Sequence, residues 1–87
     1  MSQLIKRRTS IMDRVIGRNL RRIRKARGLS QQTLAATLGV SFQQIQKYEK
    51  GQNRLPVSRL YCLQKIYGIP FGDFFDGLER IGKKDMC

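Results

Sequence analysis

The tightest constraint on this chain is Gly39, which separates two short stretches that each carry a helix start. Ser30 precedes Gln31-Gln32-Thr33-Leu34-Ala35-Ala36-Thr37-Leu38, and a serine there can accept from the free N–H groups of a first helical turn. Leu29 is placed to staple onto Leu34. Gly39 follows, where the backbone needs a freedom that a side chain would penalise. Val40-Ser41-Phe42-Gln43-Gln44-Ile45 then opens a second helix, with Ser41 and Gln44 as an S-x-x-Q capping box and Val40 stapled to Ile45. Helices this short are unstable alone. They must be held by each other and by the rest of the chain.

Counting from Gln31, positions 5, 9, 15 and 18 are Ala35, Gly39, Ile45 and Tyr48. A near-perpendicular crossing needs a small residue where the axes meet, which Ala35 supplies. It needs a turn residue, Gly39, and an apolar inner face, which Leu34, Leu38, Val40, Ile45 and Tyr48 provide. Around this pair the spacing predicts three more helices. The first runs from a Ser10/Asp13 capping box to about Arg27 and buries Met12, Val15, Ile16, Leu20 and Ile23. Gly17 inside it fits a close helix crossing. After the Gly51–Pro56 loop a fourth helix spans about Val57–Tyr67, with Leu60, Leu63, Ile66 and Tyr67 as its apolar face. Pro70 opens a fifth through about Asp76, containing Phe71, Phe74 and Phe75. The chain reads as all-α: a flexible basic arm at 1–9, one five-helix domain at 10–78, and a polar tail at 79–87.

Charge sets the partner class. The net charge is +12 without any histidine. Residues 1–30 hold ten Lys/Arg against the single acid Asp13, residues 31–60 net +3, and the remainder nets to zero. Such asymmetry favours a polyanion, nucleic acid ahead of a membrane surface. Cys62 and Cys87 are too few and wrongly spaced for zinc, so no metal or cofactor is expected. Cys62 is expected as a buried small hydrophobe and Cys87 as exposed. No stretch approaches the ~18 apolar residues of a membrane span, and no signal peptide is evident. A cytoplasmic, nucleoid-associated protein is expected.

The helix pair resembles the helix-turn-helix motif, position by position. Arg18-Asn19-Leu20-Arg21-Arg22-Ile23-Arg24, Arg27-Gly28-Leu29-Ser30-Gln31, Tyr48-Glu49-Lys50-Gly51 with Asn53-Arg54, and Ile69-Pro70 with Phe74-Phe75 extend the likeness. Together they resemble the Cro and phage-repressor type, or xenobiotic response element, family of bacterial regulators, over about residues 13–76. The resemblance implies a five-helix lambda-repressor-like DNA-binding domain, with helices 2 and 3 as the motif and the third helix in the major groove. It also implies an ion pair between Arg24 and Glu49. Pro56 departs from the family's usual capping serine.

On this reading Ser41, Phe42, Gln43, Gln44 and Lys47 face the bases. Glutamine can pair with adenine N6 and N7, and lysine can reach guanine or a phosphate. Gln44 is either a base reader or consumed as the capping partner, and Phe42 either meets a thymine methyl or tucks into the protein. Gln31 and Gln32 lie at a helix N-terminus suited to a phosphate. Lys50, Asn53 and Arg54 can grip the backbone beyond. The expected partner is double-stranded DNA, bound by a homodimer on a palindromic operator and joined through Tyr67, Phe71, Leu78 and Ile81. No small-molecule effector is expected. The alternative is an antitoxin or protein-interaction module on the same fold. RNA binding is weaker, for want of an aromatic strand platform. An enzyme is disfavoured, because no nucleophile constellation or carboxylate pair is present.

Overall fold

The computed structural model of the protein describes residues 10–82. The expected arm at 1–9 and Cys87 lie outside the described residues. Four α-helices are formed, α1 (Ile11–Ala26), α2 (Gln31–Leu38), α3 (Phe42–Glu49) and α4 (Val57–Tyr67). Two 3₁₀ segments follow, Phe71–Phe75 and Leu78–Arg80, and no strand occurs among the described residues. The all-α architecture is therefore the one the sequence predicts.

Local signals set the helix ends. Ser10 Oγ accepts from the Asp13 N–H at 3.2 Å, and Asp13 Oδ2 accepts from the Ser10 N–H at 2.8 Å, the reciprocal capping box of α1. At the other end the Leu29 N–H donates to the Arg24 carbonyl at 3.1 Å and the Gly28 N–H to that of Lys25 at 3.0 Å. That is a Schellman closure. Pro56 precedes α4 with no side-chain cap.

The core draws on every helix. Leu20 (α1), Leu34 (α2), Ile45 (α3), Leu63 (α4) and Phe74 (first 3₁₀ segment) are each at most 1% exposed. Burial at roughly 1.5–3 kcal/mol per side chain stabilises the assembly rather than any one element. Gly17 marks where α1 passes the last turn of α3: a Cβ there would collide with the Tyr48 carbonyl oxygen and lie 3.1 Å from that of Glu49. Only a glycine permits this approach.

Two expectations are corrected. The fifth helix is a five-residue 3₁₀ segment, Phe71–Phe75. Asn19, buried on α1, donates from Nδ2 to the carbonyl oxygens of Phe74 (2.8 Å) and Asp76 (2.9 Å). A side chain of α1 thus takes the acceptors that a continuing helix would use. Ile66 is 54% exposed rather than part of the apolar face of α4. At 3.6 residues per turn it lies about a quarter-turn away from the direction shared by Leu60, Leu63 and Tyr67.

Polar contacts complete the packing of α4. The Tyr67 hydroxyl lies 2.8 Å from Thr37 Oγ1 on α2. Arg59 Nη1 donates to the Leu38 carbonyl at 3.0 Å, and Arg27 Nη1 to that of Tyr67 at 3.1 Å. Two of the chain's cations therefore serve helix C-termini, where carbonyls would otherwise lack partners. Cys62 is half-buried against the core. No helix among the described residues is long and apolar enough to cross a membrane.

Candidate nucleic-acid interface

The turn between α2 and α3 is built as its residues dictate. Gly39 has φ +71°, and its N–H together with that of Val40 returns to the carbonyls of Ala36 (3.3 Å) and Ala35 (3.0 Å). The chain then turns sharply into Ser41, whose Oγ accepts from the Gln44 N–H at 3.1 Å. The reciprocal bond from the Gln44 side chain is not among the hydrogen bonds of the described residues. Ser41 caps alone, and the Gln44 amide is left uncommitted.

Helix periodicity divides α3 into two faces. Ile45, Tyr48 and Glu49 point inward. Ser41, Gln43, Lys47 and Lys50 are exposed, with Gln44 and Gln46 half-buried beside them. Phe42 is half-buried and packs against the core, which favours the tucked reading of that ring over a fully presented one. The exposed side of α3 is thus short, mostly amide and hydroxyl, and its single cation is Lys47, in the last turn.

The segment after α3 folds back on it. The N–H groups of Gln52 and Asn53 both reach the Lys47 carbonyl, at 2.9 and 3.3 Å. Gly51, with φ +73°, lies so close to α1 that a Cβ would stand 2.6 Å from Arg14 Cγ. Asn53 and Arg54 are exposed. Arg54 Nε donates to both oxygens of Asp13, at 3.1 and 3.2 Å. The arginine side chain remains 67% exposed, while that of the aspartate is 6% exposed.

The expected Arg24–Glu49 pair is formed and buried. Arg24 donates from Nε to Glu49 Oε2 at 2.6 Å and from Nη2 to Oε1 at 3.1 Å, while Nη1 reaches the Leu29 carbonyl at 2.7 Å. Gln31, half-buried at the start of α2, adds a donation from Nε2 to Glu49 Oε1 at 3.0 Å. One carboxylate therefore ties α1, α2 and α3 together. Gln32 beside it is exposed. Neither the Gln31 bond nor the Asp13–Arg54 pair is legible in the sequence. With so few acids and so many arginines, sequence alone offers no rule for who pairs with whom.

The surrounding field is positive. Arg14, Arg18, Arg21, Arg22 and Lys25 all lie on the exposed face of α1, and none joins an ion pair among the described residues. Arg22 makes one neutral contact, to Asn19 Oδ1 at 3.3 Å.

The helix-turn-helix family matches residues 20–74, which contain α2, the turn and α3 intact. The chain belongs to the Cro/C1-type helix-turn-helix family. Within that family it is 51% identical over 69 residues to an uncharacterised transcriptional regulator in the ATPase CF(0) region of Rhodospirillum rubrum, a stretch covering 79% of this chain and 64% of that protein. An uncharacterised HTH-type transcriptional regulator of Sinorhizobium medicae is 42% identical over 71 residues, covering 82% of this chain and 51% of its own length. The chain therefore spans less than two thirds of either relative. Among solved structures, a restriction-modification controller protein from Aeromonas hydrophila has the same fold. It matches with a TM-score of 0.63 and 32% identity over 69% of this chain and 87% of that one.

Proposed function

We propose that this protein is a sequence-specific regulator of transcription that binds double-stranded DNA as a homodimer on a palindromic operator. The observation that carries the reading is the split of α3, whose inner side chains are buried and whose N-terminal outer side chains are neutral hydrogen-bonding groups in a basic surround. Ser41, Gln43 and Gln44 offer donors and acceptors suited to base edges in a major groove, and Lys47 reaches guanine or a phosphate one turn later. Phe42 contributes the exposed part of its ring. Backbone N–H groups at Gln31 and Gln32 take a phosphate at the start of α2, and Lys50, Asn53 and Arg54 take the backbone beyond α3. In this arrangement the Gln31 side chain acts inward, through Glu49.

Dimerisation follows from reach, since one small reader spans too few base pairs for useful discrimination. Of the expected interface residues, Tyr67 is engaged with Thr37, whereas Phe71 is 39% exposed. Val57 and Tyr61, one turn apart on α4, are also exposed, and we assign the second copy to that side of α4; Ile66, exposed too, lies on its other flank. Selection of bound duplexes from a random pool tests the function. A palindromic enriched site is the expected result; recovery of unenriched bulk DNA would contradict it.

A further inference from the structure

The bond between Arg54 and Asp13 has an unusual division of exposure. The carboxylate is buried and already holds the first turn of α1, accepting from the Ser10 N–H at 2.8 Å and from the Ser10 hydroxyl at 3.1 Å. It then accepts Arg54 through Nε alone. A guanidinium has five N–H donors in a planar fork. With Nε committed, the outer edge formed by Nη1 and Nη2 makes no hydrogen bond to any of the described residues and stands on a side chain that is 67% exposed. A salt bridge built for stability would engage both partners on their best edges and cover them. This one holds an arginine by its stem and leaves its fork outward, five residues past the end of α3.

We propose that Asp13 is a positioning residue for a phosphate clamp: it fixes Arg54 so that the Nη edge meets a DNA phosphate beside the groove entered by α3. This inference rests on the DNA-binding reading above. Its physical basis is preorganisation. An unrestrained arginine loses rotamer freedom when it grips a phosphate, and an arginine already held at Nε has less to lose. The anchor is rigid because Asp13 belongs to the capping box, and the loop that carries Arg54 is seated on α1 where Gly51 meets Arg14.

The sign of one substitution separates this role from simple charge compensation. Asp13→Asn removes a negative charge from just beneath the basic surface proposed to meet DNA, so on electrostatics alone binding should tighten. If Asp13 positions Arg54, binding weakens instead. The experiment measures the affinity of the full chain for a selected duplex and for a scrambled duplex of equal length, across a salt series. The proteins are wild type, Asp13→Asn, Arg54→Gln, the double variant and Arg54→Lys.

Arg54→Gln is expected to weaken both duplexes alike and to lower the slope of log affinity against log salt by about 0.9. Asp13→Asn is expected to weaken both by roughly three- to fivefold, and to cause no further loss when Arg54 is already Gln. Arg54→Lys leaves the capping box intact and keeps the charge but lacks the fork. It should fall nearer to Arg54→Gln than to wild type, which keeps the test open even if Asp13→Asn folds poorly. Tighter or unchanged binding by a folded Asp13→Asn, additive losses in the double variant, or wild-type binding by Arg54→Lys would each overturn the positioning role while leaving the DNA reading intact. Failure of wild type to bind either duplex would overturn both.

Discussion

Helices α1 and α3 pack against each other, and their outer faces differ in chemistry. On α1 the exposed row is Arg14, Arg18, Arg21, Arg22 and Lys25; along α3 it is Ser41, Gln43 and Lys47, with Gln44 half-buried beside them. Phosphate charge is the same for every sequence, so a row of cations draws DNA in without choosing among sites. Amide side chains exert little long-range pull but match donor and acceptor patterns that differ from base pair to base pair. On the proposed reading, attraction and choice therefore reside on different helices. The contrast teaches that the +12 charge and the glutamine-rich helix answer separate physical demands.

Such a division works only if the two helices keep a fixed relation, so the most severe way to break it is to uncouple them. Glu49 accepts from Arg24 on α1 and from Gln31 on α2. Glu49→Gln leaves the Arg24 guanidinium buried without its counter-charge, and it should cost about 3 kcal/mol or more. Urea denaturation measures this; a variant as stable as wild type would show that the pair does not hold α1 to α3.

A purely steric break comes next. Gly17→Ala places a methyl group against the Tyr48 carbonyl. Overpacking costs typically 1–3 kcal/mol, offset by about 1 kcal/mol of improved helix propensity. A net loss of up to about 2 kcal/mol is expected in the same assay. A stabilised variant would mean that α1 and α3 have room to separate.

The third perturbation sharpens the contrast rather than destroying it. Replacing Arg18, Arg21 and Lys25 together by Gln removes much of the α1 row without touching any hydrogen bond among the described residues. Total affinity should fall by less than about 0.5 kcal/mol per charge, and less again at high salt. The ratio of selected to scrambled duplex affinity should stay constant. A shift in that ratio would place part of the sequence choice on α1.

Much of this arrangement is legible in the residues themselves. Ser10 with Asp13, Ser30, Ser41 and the glycines at 28, 39 and 51 act within a few residues of themselves, so the helix limits follow from local chemistry. Arg24 and Glu49 are paired in advance only because the family resemblance points to them. What the sequence leaves hidden depends on distant partners. Asn19 ties the end of the Phe71–Phe75 segment to α1 by capturing carbonyls more than fifty residues away. Asp13 reads as a cap alone, yet it also holds Arg54. Ile66 fits a helical apolar pattern and still faces outward, because the spacing does not say how wide the buried face of α4 is.

On the proposed reading, sequence choice rests on the neutral side chains at the start of α3. This is tested most directly by the ratio of affinities for selected and scrambled duplexes, measured at one salt concentration for wild type and Gln43→Ala. Gln43 is exposed, so its truncation should leave the fold intact. One bidentate base contact is worth about 1–3 kcal/mol of discrimination. The ratio is expected to fall by that amount, through loss on the selected duplex, while binding to the scrambled duplex is retained. An unchanged ratio, or an equal loss on both duplexes, would contradict it.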